Sequence, residues 1–361
     1  MSGAMVPGDQ QVRDVLIECF GAGVGVEKID PLAGDASTRR YVRATLSGAG
    51  APPTAVVMIL ADSGVAISSE ELAVFKEPLK EQLFVNVHRF LAALGVSVPR
   101  IYCDASARGL IVLEDIGDAA LWDVIQPLAA RKIVDWYRHA IDQLLTIVLD
   151  GTRRRDDSCI AFQQAFDERL FEWEFEHFIE YGLEKRLPSA VPAAELAELR
   201  RHFKAIAVEL GAAPRFLAHR DFHSWNLFVH EDRIRVIDFQ DALLAPATYD
   251  LGTLLGDRDT PLKITPPIES ELLDYYHAQW HERGGPAWER EAMRAQYFAC
   301  ALQKAFKVVG RFHYLNIVKG KPGYLRYLPS TLRQLRRLLA RDPSLAGVRE
   351  ILAQYLPELR D

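Results

Sequence analysis

The most constraining feature of this 361-residue chain is one segment, His-Arg-Asp-Phe-His-Ser-Trp-Asn at positions 219–226, followed by Asp238. Two short apolar runs lie between this segment and Asp238, and they predict a hairpin whose second strand spans 233–239. A loop followed by a tight hairpin can direct the side chains of Asp221, Asn226 and Asp238 toward one point. The chain therefore has to fold around a cluster of two carboxylates and an amide.

These three side chains match the chemical needs of phosphoryl transfer from a nucleotide to a hydroxyl group. Asp221 can accept the hydroxyl proton, while Asn226 and Asp238 offer the oxygen ligands that Mg²⁺ prefers. The alternative is a polar loop in which Asp and Asn side chains only close turns. That alternative is favoured for any one residue alone, and the catalytic interpretation is favoured for the three together.

Size and charge limit the classes of protein to which the chain can belong. Its 361 residues exceed the usual size of one core, so two lobes are expected. A formal charge of -6 disfavours a nucleic-acid or anionic-membrane partner. The four cysteines lie far apart without a CxxC pair, which indicates neither zinc nor a disulfide framework. No leader and no run of the ~18 to 20 apolar residues that span a bilayer is visible, so we expect a cytoplasmic protein, with a monomer favoured.

The first third of the chain has the alternation and the turn residues typical of a sheet. Residues from about 27 to 60 alternate as strands do, with a first strand before residue 34. Further strands are predicted at 42–46, 54–60, 100–103 and 110–114. Between 83 and 94, apolar residues recur at helical spacing, and Gly95 ends the predicted helix. The small residues at 34–38 form a loop that can approach phosphates, although a plain hairpin turn explains them equally well. Near residue 116 the pattern changes from strands to helices.

The remaining two thirds of the chain have a mostly helical pattern with two notable faces. A segment at 166–181 combines aromatic residues with many glutamates, and Glu172 could donate its carboxylate to sugar hydroxyls. Further along, three cations lie on one helical face and could meet an anionic substrate: Lys304, Lys307 and Arg311. For both faces the alternative is an ordinary solvated surface, and that alternative is favoured for each residue taken singly.

The segment at 219–226, the sequence Ile237-Asp238-Phe239 and the sequence Tyr249-Asp250-Leu251 together resemble the aminoglycoside phosphotransferase and choline kinase superfamily, a branch of the protein-kinase-like fold. The resemblance implies an α+β fold with two lobes. Residues 1–116 would form a nucleotide-binding lobe with an antiparallel sheet and a helix, and residues 117–361 a mainly helical catalytic and substrate-binding lobe. ATP and Mg²⁺ are the implied cofactors, and Asp250 would brace the catalytic loop.

A closer resemblance covers most of the chain. It is to the bacterial kinases that phosphorylate the anomeric hydroxyl of N-acetylmuramate and N-acetylglucosamine in peptidoglycan recycling, and it is carried by the segments 34–41, 238–250 and 307–325. The implied nucleotide contacts are Asp35, Ala36, Ser37, Thr38, Arg40, Met58, Glu114 and Ile116. The expected contacts of the sugar are Asp221, His223, Gln240, Asp241 and Glu172.

One departure from the kinase pattern concerns the third strand. Kinase-like proteins usually place a lysine there to hold the nucleotide phosphates, but Val56-Val57-Met58-Ile59-Leu60 contains none. Arg40 and Arg43 are the available substitutes because guanidinium groups bind phosphate oxygens well. The resemblance favours Arg40. Glu81 is a guess for the acid that would pair with this cation.

The prediction is an ATP- and Mg²⁺-dependent kinase with a small sugar as its partner, acting on the anomeric hydroxyl of an N-acetylated amino sugar. One alternative is a phosphotransferase acting on an aminoglycoside, choline or another alcohol, and the glutamates near residue 172 permit such a cationic substrate. Another is a nucleotide-binding pseudokinase regulator, suggested by the missing lysine. The intact Asp221, Asn226 and Asp238 argue against that alternative, since a pure binding module needs no proton acceptor.

Overall fold

A five-stranded antiparallel sheet forms the N-terminal part of the protein in the computed structural model, which describes residues 8–32, 39–60, 82–187 and 190–360. The strand order is β1-β2-β3-β5-β4, and the strands are β1 Gly25–Leu32, β2 Arg40–Ser47, β3 Thr54–Ile59, β4 Ile101–Ala105 and β5 Leu110–Glu114. The strands predicted from alternation are therefore present. The paired strands β2 and β3, and likewise β4 and β5, follow each other closely in the sequence, because short turns can join antiparallel neighbours.

The two faces of the sheet pack against different partners. On one face, Ala44, Val57 and Val112 are buried against the helix α1 (Asp9–Phe20). On the other face, Met58 and Ile111 belong to the main core of the molecule. Because successive strand residues point to opposite faces, this division settles which β2 and β3 side chains can reach the rest of the protein. The sequence did not predict α1.

The second helix of the N-terminal part joins the sheet to the remainder of the protein. This helix, α2 (Leu83–Ala93), matches the helix predicted at 83–94 and buries Phe84, Val87 and Leu91. Phe84 lies against Phe239, with ring centroids 4.8 Å apart. The residue that follows Asp238 thus packs on α2, and the main core is continuous between the sheet and the helical part.

The remainder of the protein is mainly helical, as predicted. Its helices are α3 Leu121–Ile125, α4 Ala130–Leu145, α5 Glu168–His177, α6 Ala193–Ala212, α7 Tyr249–Gly256, α8 Pro266–Glu282, α9 Arg290–Ile317, α10 Leu328–Arg341 and α11 Ala346–Tyr355. Two small antiparallel pairs complete it: β6 Arg215–Ala218 with β9 Leu243–Pro246, and β7 Leu227–His230 with β8 Arg233–Val236.

The long helix α9 approaches the segment Phe178–Glu184 closely through a glycine. A Cβ atom on Gly310 would lie 2.8 Å from the Phe178 Cα atom. Only glycine permits this distance, because real Cβ atoms do not approach a backbone so closely. The approach fixes α9 against α5 and its continuation, and both elements carry charged residues of the site.

The β7–β8 hairpin differs from its prediction in one respect. The second strand ends at Val236 and does not extend to Phe239. Asp238 has a φ of +63°, a left-handed conformation that cannot continue a strand. The carboxylate therefore leaves the chain from a tight turn beyond the strand, and the surrounding contacts have to hold that turn in place.

Two expectations from composition concern membrane segments and cysteines. Among the described residues, no helix combines the length and apolar character required to cross a membrane. Cys19, Cys103, Cys159 and Cys300 are all free thiols, and two of them, Cys159 and Cys300, are buried.

Candidate active site

The loop that carries Asp221 is fixed by a buried carboxylate from the next helix. Asp250, in the first turn of α7, accepts hydrogen bonds from the backbone N–H groups of His219 at 2.5 Å and Arg220 at 2.9 Å. Arg220 has a φ of +82°, which a non-glycine residue adopts only where its surroundings enforce it. Asp250 thus braces the loop, as the resemblance implied, and sets the direction in which Asp221 points.

His219 ties the same loop to the segment that carries Asp238. Its ring Nε2 lies 2.9 Å from the backbone carbonyl oxygen of Ile237, which can only accept, so Nε2 carries the proton. Burial lowers the pKa of His219. A neutral ring in this position supports the loop through this hydrogen bond.

The three residues predicted to catalyse transfer and bind metal meet at one end of the β7–β8 hairpin. The Asn226 side-chain amide donates to the Asp221 backbone carbonyl at 3.0 Å and lies 3.4 Å from the Asp238 carboxylate. The Ile237 N–H donates to the Asn226 carbonyl at 3.1 Å and closes the hairpin. The structure therefore brings Asp221, Asn226 and Asp238 together, and their chemical roles stay predictions.

The electrostatics of Asp238 suit a cation. Burial raises the pKa of its carboxyl, and the carboxylates of Asp221 and Asp241 raise it further, against a hydrogen bond from Gln240. A divalent cation would relieve this crowding of negative charge. In the described ranges, no group of three or more His, Cys, Asp or Glu side chains is placed to hold a metal ion. Mg²⁺ still fits, because it commonly takes one or two carboxylates and completes its shell with water and phosphate oxygens.

A buried lysine from the distant helix α9 forms an ion pair with Asp221. The Lys304 Nζ atom lies 2.9 Å from Asp221 Oδ1 and donates to the Arg220 carbonyl at 3.2 Å. Its side chain is only 5% exposed, whereas that of Asp221 is 39% exposed. Of the two interpretations of this helical face, the solvated surface is thus wrong for Lys304. The cation is buried, while part of the Asp221 carboxylate remains exposed.

Charges around Asp221 keep its carboxyl group ionised. Burial alone would raise the pKa of Asp221, but Lys304, Lys307 and Arg220 outweigh it and hold the pKa well below the usual value. Burial lowers the pKa of Lys304, and the carboxylates of Asp221, Asp257 and Glu174 outweigh that effect, so its pKa is raised. Both partners of the pair are therefore charged at neutral pH.

The second lysine of this helical face is also neutralised within the protein. Lys307 Nζ lies 2.5 Å from a carboxylate oxygen of Glu174, whose side chain is completely buried on α5. Gln303 donates to the other oxygen of Glu174 at 2.6 Å. The network built on Lys304 and Lys307 thus joins α9, α5 and the catalytic loop, and it holds the charge near Asp221 in a fixed arrangement.

Glu172, expected as a sugar contact, is not brought to this cluster. It forms an ion pair with Lys204 of α6, and Lys204 also lies 2.5 Å from Glu168. Residues two positions apart on a helix point to nearly opposite sides, so Glu172 faces α6 while Glu174 faces α9. The acidic residue of α5 that enters the network is Glu174, which the sequence interpretation did not select.

On the nucleotide side, the register of the sheet separates Arg39 from Arg40. Arg40 pairs with Ile59, which is buried on the face that packs on α1, whereas Tyr41 pairs with Met58 on the opposite face. Arg40 therefore points away from Asp238. Arg39 is the neighbouring cation, with Nη1 3.9 Å from Asp238 Oδ1 and a side chain 11% exposed.

Arg43, the other candidate for the missing lysine, holds the connection between the two parts of the protein. Its guanidinium lies 2.7 Å from Asp115 and 2.8 Å from Asp118. These two hydrogen-bonded pairs raise the pKa of Arg43, and Asp118 contributes most. Because both edges of the guanidinium are occupied, Arg43 has a structural role at the start of the segment that leaves β5.

Three predicted nucleotide contacts lie on the central strands or just beyond them. Met58 is on β3, opposite Ile111 of β5, while Glu114 ends β5 and Ile116 follows it. Met58 and Ile116 are buried, and Gly117 follows with a φ of +77°. The Glu114 carboxylate binds Arg235 and accepts from the Arg100 N–H at 2.9 Å, and the Glu114 N–H donates to the Arg100 carbonyl at 2.8 Å, so both groups are used within the protein. The expectation itself stays a prediction.

Several predicted positions lie outside the described residues. They are Asp35, Ala36, Ser37 and Thr38 of the proposed phosphate loop, and Glu81.

The other predicted sugar contacts are near Asp221 and Asp238. The His223 N–H donates to the Asp221 carbonyl at 3.0 Å, and the ring is almost completely buried. Gln240 donates to Asp238 at 2.9 Å and to Asp241 at 3.2 Å. Gln240 therefore orients the carboxylate of Asp238, and His223 is a buried neighbour of Asp221.

This arrangement defines a class of protein. A five-stranded sheet with a connecting segment, placed beside a loop that presents a carboxylate, an amide and a second carboxylate, is the architecture of a kinase-like phosphotransferase. The model of the phosphotransferase enzyme family matches residues 28–294, and the chain belongs to this family. It is accordingly an ATP-dependent phosphotransferase.

Individual relatives agree with this family. An N-acetylmuramate/N-acetylglucosamine kinase of Pseudomonas aeruginosa is 31% identical over 284 residues, which cover 76% of this chain and 78% of the relative. One of Caulobacter vibrioides is 30% identical over 356 residues, covering 93% and 94%. Among solved structures, a choline kinase from Cryptosporidium parvum has a TM-score of 0.57 at 11% identity and covers 97% of this chain and 98% of its own. That last likeness shows the fold alone.

Proposed function

We propose that the protein is an ATP- and Mg²⁺-dependent kinase of the anomeric hydroxyl of N-acetylmuramate and N-acetylglucosamine. One observation carries the proposal. Asp221, Asn226 and Asp238 are assembled at one site in a chain whose relatives over 93% of its length include an N-acetylmuramate/N-acetylglucosamine kinase. Residues 1–116 would be the nucleotide lobe and 117–361 the catalytic and sugar-binding lobe.

In the proposed mechanism, Asp221 orients the acceptor hydroxyl and takes its proton. Lys304 holds this carboxylate in one orientation and in its ionised form. Because the transition state of phosphoryl transfer is loose, the position of the hydroxyl contributes more than the strength of the base. A carboxylate of low pKa is therefore suited to this role.

Asn226 and Asp238 would hold the metal, and Gln240 fixes the orientation of the Asp238 carboxylate. Mg²⁺ held there would supply positive charge that offsets the charge of the phosphate oxygens. Arg39, just before β2, reaches the same carboxylate and is the cation that would replace the missing lysine of the third strand. A guanidinium suits this task because its fork can contact two phosphate oxygens together.

The neighbours Arg39 and Arg40 provide a matched test of the nucleotide site. Arg39→Met should raise the KM for ATP roughly 10- to 100-fold, the loss expected when a hydrogen-bonded charge is removed from a phosphate. Arg40→Met removes the same charge one residue away on the opposite face and should change the KM by less than about threefold. Steady-state kinetics at saturating sugar measure both values. The opposite order would show that Arg40 binds the phosphates.

The proposed function is tested by identifying the product. Phosphorus NMR would follow Mg-ATP with N-acetylglucosamine, N-acetylmuramate, glucose, choline or kanamycin, each offered separately. We expect an anomeric sugar phosphate from the two N-acetylated sugars and none with the Asp221→Asn protein. Product from choline or kanamycin alone would assign the chain to another substrate class. ATP binding without product from any acceptor would favour a pseudokinase.

A further inference from the structure

The Arg258 side chain occupies an unusual position beside the catalytic loop. Its guanidinium carbon lies 4.9 Å from the ring centre of Trp225, 5.7 Å from that of Tyr327 and 6.0 Å from that of Tyr324. The side chain is 13% exposed. Aromatic faces attract a guanidinium and restrict its plane, so this cation is held in place mainly by rings.

The hydrogen-bonding capacity of this guanidinium is largely unused. Within the described part of the chain, its only charged contact is between Nε and Asp257 Oδ2 at 3.5 Å, and it makes no hydrogen bond there. A guanidinium carries five N–H donors in a rigid fork. None of the Arg258 nitrogen atoms is among the buried atoms that lack a partner in the described structure, so these donors are open to water or to a ligand. The edge opposite Nε is therefore suited to an acceptor from outside the protein.

Two buried polar atoms near this guanidinium and the catalytic loop lack hydrogen-bond partners within the described structure. Neither Asp257 Oδ2 nor His223 Nδ1 has a hydrogen-bond partner among the described residues. His223 Nε2 lies 3.9 Å from Asp257 Oδ2. The backbone of His223 is bonded to Asp221, and the carboxyl of Asp257 is within electrostatic reach of both Asp221 and Arg258.

The position of Arg258 assigns it to the acceptor. The nucleotide side of Asp221 is marked by Asp238 and Arg39, whereas Arg258 is joined to the loop through His223 and Trp225. Arg258 also has a φ of +49°. A non-glycine residue is kept in this conformation only when its surroundings over-determine it, and such residues concentrate at ligand sites.

We infer that Arg258 binds the carboxylate of an acidic acceptor and so provides selectivity for N-acetylmuramate over N-acetylglucosamine. This inference rests on the proposed function. The two sugars differ by the lactyl ether, which ends in a carboxylate, and the planar fork of Arg258 matches a carboxylate in a bidentate way. Trp225 and Tyr324 provide apolar walls of the kind that line small-molecule sites.

Arg311 is another cation to which the same carboxylate could bind. Arg311 lies on the face of α9 that contains Lys304, with its guanidinium carbon 5.1 Å from the ring centre of Tyr314. It is about 10 Å further along the helix than Lys304, at 1.5 Å per residue. Only one ring restricts it, whereas three surround Arg258. Arg258 is thus the better pre-organised of the two.

The test compares the two sugars in one set of variants. In Arg258→Met, the ratio of kcat/KM for N-acetylmuramate to that for N-acetylglucosamine should fall roughly 10- to 100-fold, as expected for a lost charged hydrogen bond. Arg258→Lys keeps the charge but loses the planar fork of donors, so its ratio should lie between those of the wild-type protein and Arg258→Met. Arg341→Met is the matched control, because Arg341, at the end of α10, also lies over a ring, 3.5 Å from the centre of Phe298 of α9. Its ratio should stay unchanged.

Two outcomes would overturn the inference. They are an unchanged ratio in Arg258→Met, including the case in which both sugars lose activity equally, and a selective loss in Arg311→Met instead. A binding measurement separates this inference from the proposed function. Calorimetry would compare the affinity for N-acetylmuramate of the Asp221→Asn protein with that of the Asp221→Asn, Arg258→Met double variant. If the wild-type protein transfers no phosphate to either sugar but Arg258→Met still weakens this binding, the function fails and the carboxylate site stands.

Discussion

Asp221→Asn is expected to lower kcat roughly 10²- to 10⁴-fold, the range over which a positioned proton acceptor contributes to catalysis. The amide keeps the shape of the side chain and an oxygen for Lys304, so the loop should remain in place. It cannot accept the proton of the acceptor hydroxyl. The KM values for ATP and sugar should change by less than about threefold, because the substrate is bound by other groups.

Steady-state kinetics and nucleotide titration on the same protein check this prediction. Asp135→Asn is a suitable control, since Asp135 lies on the surface of α4 and pairs only with Arg131, at 3.7 Å, in the described structure. It should retain wild-type kcat. Retention of more than about a tenth of kcat in Asp221→Asn would remove Asp221 from the role of proton acceptor.

Lys304→Met should affect both catalysis and stability. Loss of the cation leaves the carboxylate of Asp221 without its partner and free to rotate, so we expect kcat to fall on the order of 10²-fold. We expect a loss of stability of about 1–3 kcal/mol. This is less than for a completely buried pair, because the carboxylate is 39% exposed and water can hydrate it.

The pH dependence of the Lys304 variant has a defined sign. The folded protein lowers the pKa of Asp221 and raises that of Lys304, so the pair stabilises it between the usual values of 3.8 and 10.5. That contribution is lost as the pH falls through the lowered carboxyl pKa, or rises through the raised amine pKa. The difference in unfolding free energy between wild type and Lys304→Met should be largest near neutral pH and shrink toward both extremes.

Kinetics and denaturant unfolding over a pH series measure these effects. Removal of the cation raises the pKa of Asp221, so the acidic limb of the kcat profile should move to higher pH. Lys304→Arg should restore part of kcat, because the charge returns in a different shape. Lys204→Met is the matched control. Lys204, like Lys304, forms ion pairs, in its case with Glu168 and Glu172. It is 51% exposed and should contribute little to stability or catalysis. Equal effects of the two lysines would contradict the proposed role of Lys304.

Local sequence was sufficient for the elements close to the catalytic loop. Asp221, Asn226 and Asp238 lie within one loop and one hairpin, so the short chain between them limits how far apart they can be. The strands of the sheet and helix α2 have regular apolar periods, which is why their positions were predicted to within a few residues. The end of β8 was missed because the left-handed turn at Asp238 depends on contacts from elsewhere.

Residues that act across long separations were not selected correctly from the sequence. Lys304 is 83 positions from Asp221, and its helical face could equally have been solvated. Glu172 and Glu174 lie on one short helix, and only the packing of α5 between α6 and α9 decides that Glu174 turns inward. The choice between Arg39 and Arg40 required the pairing register of β2 with β3, since a shift of one residue exchanges the two faces.

The sequence by itself determined the class of chemistry and the fold, because the catalytic residues lie close together in the chain and the apolar periods specify the strands and helices. Tertiary structure alone decided which charged residues support Asp221 and which side of the site Arg258 occupies. The physical reason is that an ion pair between distant segments depends on how helices and strands pack and on which face each side chain points to. Neither is encoded in local spacing.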